Sequence, residues 1–188
     1  RKVKSEEIKS IDEVIDSGKK ILESEIIDAL IPTLESDFIN IGQSKGKFGG
    51  GKRSIWRQTQ KKTKEGNKPK FSTMIVVGNK DGYVGLGKGK AKETMPAREK
   101  ALRQAKLNII NIVRGCGSWE GLPAPNSIPF AVEGKCGSVR IKLMPAPNGV
   151  GLCVENECKK MLALAGIKDI YSKTFGQTKV KINLMQAC

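Results

Sequence analysis

Two stretches of the chain fall one residue short of the phosphate-cradling motif Gly-x-x-x-x-Gly-Lys-[Ser/Thr]: GYVGLGKG at 82–89 and GKFGGGKR at 46–53. Nucleotide chemistry on that motif needs the final hydroxyl as a Mg²⁺ ligand and a buried parallel strand ahead of the loop. Gly89 and Arg53 stand at the hydroxyl position, and neither stretch follows such a strand pattern. A Gly-x-Gly-x-Gly-Lys run more simply lets backbone approach a phosphate or another strand, with Lys88 and Lys90 adding charge. GCGSW at 115–119 sets a thiol, Cys116, in surroundings like those of a cysteine nucleophile. A thiol of ordinary pKa needs a base to be activated near neutral pH. The chain has no His. That absence also removes Ser-His-Asp catalysis, HExxH metalloprotease chemistry and imidazole zinc ligation. Cys116 is therefore expected to be a small packing residue. The five cysteines, Cys116, Cys136, Cys153, Cys158 and Cys188, contain no Cys-x-x-Cys pair, so reduced thiols are expected rather than a disulfide framework or zinc ribbon. No paired-carboxylate motif stands out. The chain is read as no enzyme, with no catalytic residue, metal site or cofactor.

What the residue types can do is bind a polyanion. Lys and Arg number 34 against 19 Asp and Glu, a formal charge of +15, which self-repels until an opposite charge neutralises it. Arg53, Arg57, Lys61, Lys62, Lys64, Lys68 and Lys70 fall within 18 residues, opposed only by Glu65. Lys45, Lys47 and Lys52 precede them among glycines, and Phe48 and Trp56 are aromatics able to stack on bases or to pack. Ammonium groups displace counterions condensed on nucleic acid, while glycines permit close approach, so this stretch suits threading between RNA helices. Lys88, Lys90, Lys92, Lys100, Arg103, Lys106, Arg114, Arg140 and Lys142 complete the RNA-contact candidates. Such contacts position a protein without reading base sequence. A membrane is not expected as partner, because no apolar run approaches the roughly 18 residues of a span. The opening Arg-Lys-Val-Lys lacks a signal peptide's apolar centre. The chain reads as trimmed and intracellular.

These residues need elements to position them, and 188 residues allow one domain or two small ones. Residues 1–35 carry Ile11, Val14, Ile15, Leu22, Ile26 and Leu30 at largely helical spacing, closed by Pro32, which predicts one or two surface helices. Residues 42–53 read as a Gly/Lys-rich loop, 55–59 as a short strand and 60–70 as a lysine-rich loop. Asn79-Lys80-Asp81-Gly82 predicts a turn between strands 71–77 and 83–86. A helix is expected to about residue 112, capped by Thr94, with Pro96 in its first turn. Ala97, Ala101, Leu102, Ala105 and Ile109 would share its apolar face, opposite Lys100, Arg103 and Lys106. Residues 115–126, rich in Gly and Pro, read as a linker. Beyond it, strands at 128–132 and 139–144 should flank EGKCGS, with Val139, Ile141 and Leu143 alternating with an outer face of Arg140 and Lys142. PAPNGVG is loop, 155–165 a helix ended by Gly166, and 167–171 a further strand.

At GYVGLGKGKAKE (82–93) the chain resembles the S-five (universal S5) family of small-subunit ribosomal proteins, in its archaeal and eukaryotic cytosolic form. Residues 76–93, 105–120, 127–152 and 164–178 carry the resemblance, which covers about 55–183. It implies an α+β chain: a dsRBD-like N-terminal domain of three strands plus a helix, then an S-five second-domain-like α/β module. The organisation expected is a helical and Gly/Lys-rich extension at 1–54, an RNA-binding domain at 55–114, a linker at 115–126 and a C-terminal domain at 127–188. The implied function is structural: binding small-subunit rRNA, touching neighbouring ribosomal proteins, and supporting assembly, the passage where mRNA enters and translational accuracy, in the cytoplasm. The family's first hairpin loop aligns with 61–70, which implies RNA contact by Lys61, Lys64, Gly66, Lys68 and Lys70. Asn67 and Asn148 replace residues usually basic in the family, Asn126 replaces a common His, and 42–53 looks like an insertion. The family's helix beyond residue 183 is expected to be absent or shortened. The competing readings are a free-standing double-stranded-RNA module and a nucleotide-dependent enzyme using 82–88.

Overall fold

A computed structural model describes residues 3, 10–16, 18, 20–44, 46, 48, 51, 53–117 and 125–188. By its contacts the chain divides into two units, Arg1–Asn79 with Val84–Asn111, and Lys80–Tyr83 with Ile112–Cys188. The expected α+β class is what is found.

The first unit is organised by its longest β-prone run. β1 (Glu35–Ile39), β2 (Arg57–Thr63), β3 (Gly66–Gly78), β4 (Tyr83–Ala91) and β5 (Ile109–Asn111) form one sheet. β1 and β2 pair end to end along the same edge of β3, and β4 takes the other edge. Helix α3 (Thr94–Leu107) covers one face; α1 (Ile11–Asp16) and α2 (Ser24–Leu30) precede the strands. The turn between β3 and β4 is where Asn79-Lys80-Asp81-Gly82 predicts it, with Lys80 and Gly82 both at positive φ.

Alternation along β4 sends Gly85, Gly87 and Gly89 to the helix side, across from Val77, Ile75 and Thr73 of β3. A Cβ on these glycines would stand 2.3, 2.1 and 1.9 Å from the carbonyl oxygens of Ala105, Ala101 and Ala97. All three alanines are fully buried. The glycine run therefore lets a helix backbone, rather than a phosphate or a strand, lie directly on the sheet. This removes the phosphate-cradle reading of 82–89, because the space where a phosphate would sit is filled by α3.

Several expected boundaries are corrected. β2 is not at 55–59, and the lysine-rich segment is not a loop: it is a two-stranded ribbon, paired from Arg57↔Ser72 to Thr63↔Gly66 and turned at Lys64 and Glu65. Both faces of the ribbon's outer part are in water, so it lacks the apolar alternation that signals a strand. Its register is set by the turn, where Gly66 takes φ +116° and the Thr63 hydroxyl donates to the Gly66 carbonyl (2.7 Å). α3 stops at Leu107 and not near 112, since Ile109–Asn111 leave the helix to pair at the edge of β4. Its N-cap is Glu93 rather than Thr94, extended at φ −117°, ψ 164°. Strand β1 falls between the helices expected over 1–35 and the loop expected over 42–53, where no element was read. The helices at 11–16 and 24–30 are as expected, but Ile27 is the fully buried member and Leu22 is 73% exposed.

In the second unit, β6 (Val132–Cys136), β7 (Val139–Pro145), β8 (Leu152–Cys153) and β9 (Ile170–Phe175) form a sheet in the order β6-β7-β9-β8. The β8–β9 pair is parallel and the others antiparallel. The alternation of β7 is as read: Val139, Ile141 and Leu143 are buried, Arg140 and Lys142 exposed. Helices α4 (Asn156–Leu164) and α5 (Lys181–Ala187) supply the rest of this core through Cys158, Leu162, Ile182, Leu184 and Met185. α4 begins at Glu155, whose carboxylate accepts from the Glu157 N–H (3.0 Å). It ends as expected at Gly166 (φ +84°), with N–H donations from Gly166 to Ala163 and from Ile167 to Leu162 that close a Schellman turn.

β6 begins where the strand at 128–132 was expected to end, and β9 starts at Ile170, near the end of the expected 167–171, and runs on to Phe175. In both cases the apolar residues ahead of the strand, Ile128 and Ile167, are buried without ladder pairing. Burial alone gave the strand pattern there. α5 stands where a missing or shortened helix was expected. Its last residues press on β6 so closely that a Cβ on Gly134 would lie 1.9 Å from the Ala187 carbonyl oxygen. No helix among the described residues is long and apolar enough to cross a membrane.

Candidate nucleic-acid interface

The register decides which cations act together. Opposed residues in an antiparallel pair share a face. Arg57, Lys61, Lys68, Lys70, Lys88 and Lys90 consequently all lie on the sheet face turned away from α3. Lys62 alone of the ribbon's paired cations lies on the opposite face, with Gln58, Gln60, Asn67, Pro69 and Phe71. Along each strand these side chains recur about every 6.8 Å, and strands stand about 4.8 Å apart. Lys61 lies directly across from Lys68, and Arg57, Ser72 and Lys90 form one row over three strands.

Like charges so placed repel. Lys88 is held below the ordinary lysine range, first by partial burial, then by the Lys90 ammonium and the Arg57 guanidinium. Lys68 has one acidic neighbour, Glu65 at 2.8 Å, in a pair mostly open to water and therefore weak. A polyanion laid on this face would relieve the repulsion along the whole row.

The same charge continues round the start of α3. Lys70, Lys90, Lys92 and Lys100 line a cleft of about 460 Å³ with Ala91, Glu93 and Pro96. The first turn of α3 has no acidic residue, and the Glu93 side chain makes no capping hydrogen bond. The partial positive charge of the helix start thus adds to four ammonium groups.

Not every predicted contact residue belongs to this surface. Lys100 and Arg103 are exposed on α3, whereas half-buried Lys106 is paired with Asp28 of α2 at 2.6 Å. Arg114 is paired with Asp81 and also donates to the Lys80 carbonyl (3.4 Å). Lys64 and Gly66 form the ribbon turn, and Arg53 bridges Ser44 at the foot of the Gly/Lys-rich stretch. Lys45, Lys47 and Lys52 lie outside the described residues. Arg140 and Lys142 stand on the outer face of the second sheet. The sequence reading missed Lys135 and Lys173 on that face, because β6 has no buried residue and β9 has only Ile170, so neither strand carries an apolar alternation. Cys116 is half-buried. Among the described residues no cluster of His, Cys, Asp or Glu is placed to hold a metal.

Two small α+β units and a single-faced row of cations on the first sheet are the geometry of a protein that binds a polyanion. Residues 55–113 match the family described as Ribosomal protein S5, N-terminal domain, and residues 134–188 match Ribosomal protein S5, C-terminal domain. The chain belongs to the ribosomal protein S5 family, whose members are structural components and not enzymes. It is 50% identical over 184 residues to the small ribosomal subunit protein uS5 of Nanoarchaeum equitans, covering 97% of this chain and 79% of that one. Identity to the uS5 protein of Methanocaldococcus jannaschii is 46% over 188 residues, covering 100% and 80%, and to that of Thermofilum pendens 46% over 181 residues, covering 96% and 82%.

Proposed function

We propose that this chain is a structural constituent of the small ribosomal subunit, binding its rRNA and neighbouring ribosomal proteins in the cytoplasm. The observation that carries this is the single-faced row of Arg57, Lys61, Lys68, Lys70, Lys88 and Lys90. The ribbon of β2 and β3 extends into rRNA, and the cleft at the start of α3 takes a backbone phosphate. Residues 55–114 serve as the RNA-binding domain and 127–188 as the second domain, joined through 115–126 and preceded by the extension at 1–54. From this position the chain supports subunit assembly, the passage where mRNA enters and decoding accuracy.

The test is the salt dependence of binding to a small-subunit rRNA fragment. Each phosphate contact contributes about 0.7 to 0.9 to the slope of log K against log salt. Lys88→Ala with Lys90→Ala should therefore flatten the slope by about 1.4 to 1.8. An unchanged slope, with the fold intact by circular dichroism, refutes phosphate contact on this face.

A further inference from the structure

The outer face of the second sheet is built differently from the cationic face of the first. Register places Lys135, Arg140 and Phe175 in one row across β6, β7 and β9, with Glu133, Lys142 and Lys173 in the next and Met144 and Tyr171 in a third. All point away from the helices, since their strand neighbours Val139, Ile141, Leu143 and Ile170 are buried. Tyr171 is 41% and Phe175 44% exposed, although both are large apolar side chains. The Lys173 ammonium, between them in sequence, lies 5.6 Å from the Phe175 ring centroid. Among the described residues none of the four cations forms an ion pair. Four positive charges thus stand against one carboxylate, Glu133, with an aromatic ring on either side of Lys173 along β9.

A duplex has its bases stacked inside and offers nothing to open rings on a flat sheet. An apolar protein surface would leave four cations facing no opposite charge. A single strand supplies both parts, base faces for the rings and phosphates for the cations. We propose that the outer face of β6, β7 and β9 is a platform for single-stranded RNA, with Tyr171 and Phe175 stacking on bases and Lys135, Arg140, Lys142 and Lys173 meeting phosphates. The rings are about 13.6 Å apart along β9, four residues at roughly 3.4 Å each, so they take separate bases of one strand. The proposal rests on the reading that the chain works on RNA, and adds a second surface with its own ligand class.

The test uses the intact chain with two fluorescent probes, a short oligouridylate and an RNA duplex, followed by anisotropy. Loss of one base–aromatic stack weakens binding by about 5- to 140-fold. Tyr171→Ala and Phe175→Ala should each weaken the oligouridylate within that range and change duplex binding less than about twofold. Tyr171→Leu and Phe175→Leu keep the apolar bulk and remove the π face, so they should lose most of the same affinity even if the alanine variants misfold. Photocrosslinking with 4-thiouridine should map to β9. Oligouridylate binding unchanged in the leucine variants, or sensitive only to Arg140→Glu and Lys142→Glu, overturns the platform. A chain that binds rRNA normally but no oligouridylate overturns this proposal alone, and one that binds no RNA overturns the underlying reading as well.

Discussion

Replacing Gly87 by Ala tests the packing that positions the cationic face. The new Cβ would lie 2.1 Å from the Ala101 carbonyl oxygen, 2.2 Å from the Ala105 nitrogen and 2.7 Å from the Ala105 Cα. All three are backbone atoms of a 14-residue helix, so no rotamer change can relieve the overlap. Restoring ordinary contact requires α3 to retreat by about 1 Å. A gap of that size forfeits about a quarter to a half of each dispersion contact it opens, here those under Ala97, Ala101 and Ala105. Overpacking of this kind costs about 1–3 kcal/mol, and a clash against backbone belongs at the upper end. At roughly 2–4 °C per kcal/mol, a loss near 3 kcal/mol lowers Tm by about 6–12 °C. The assay is thermal and guanidinium unfolding of the variant beside Gly46→Ala, where the added Cβ meets nothing within 4 Å. The control should stay within about 0.5 kcal/mol of the parent. If Gly87→Ala is as stable as Gly46→Ala, close helix approach is not what the glycine run provides.

Two further outcomes concern the second unit. Buried Asp169 accepts from the N–H groups of Gly151 (2.7 Å) and Gly149 (3.1 Å) and from the Asn126 amide (2.8 Å). Burial pushes its carboxyl up, but these hydrogen bonds and the nearby Lys168 outweigh it and the net shift is downward. A depressed carboxyl contributes stability that is present above its unfolded pKa, about 3.9, and lost as pH falls through the lower folded value. Urea midpoints should show Asp169→Asn less stable than the parent at pH 7, with the difference shrinking below about pH 4. A difference that does not change with pH would refute the linkage. The Cys158 thiol, hydrogen-bonded to Cys188 and buried, is pushed up from the usual thiol range, whereas Cys153 is exposed. Ellman's reagent near pH 8 should modify Cys153 early and Cys158 only on unfolding. Early loss of Cys158 would show that α4 and α5 open locally.

Legibility tracked the presence of a buried face. β7 was readable because Val139, Ile141 and Leu143 pack inward while Arg140 and Lys142 do not. The end of α4 was readable because a helix stop at Gly166 is a local backbone event. The β2–β3 ribbon was not, since residues wet on both sides carry no apolar period. β1 was hidden because its pairing partner lies some forty residues away, from Glu35 to Gly78. At the candidate site the identity of the cations was legible, and their division between faces was not.

The sequence by itself determined the charge excess, the absence of any imidazole, the family and the α+β class, because these follow from composition, local pattern and ordered motif text. Tertiary structure alone decided that Gly85, Gly87 and Gly89 serve a helix rather than a phosphate. It also decided that Arg57, Lys61, Lys68, Lys70, Lys88 and Lys90 share one face, and that Tyr171 and Phe175 stand open among cations on another. The reason is register: sliding a strand by one residue exchanges its faces, and register is set by turns and by partners far away in the chain.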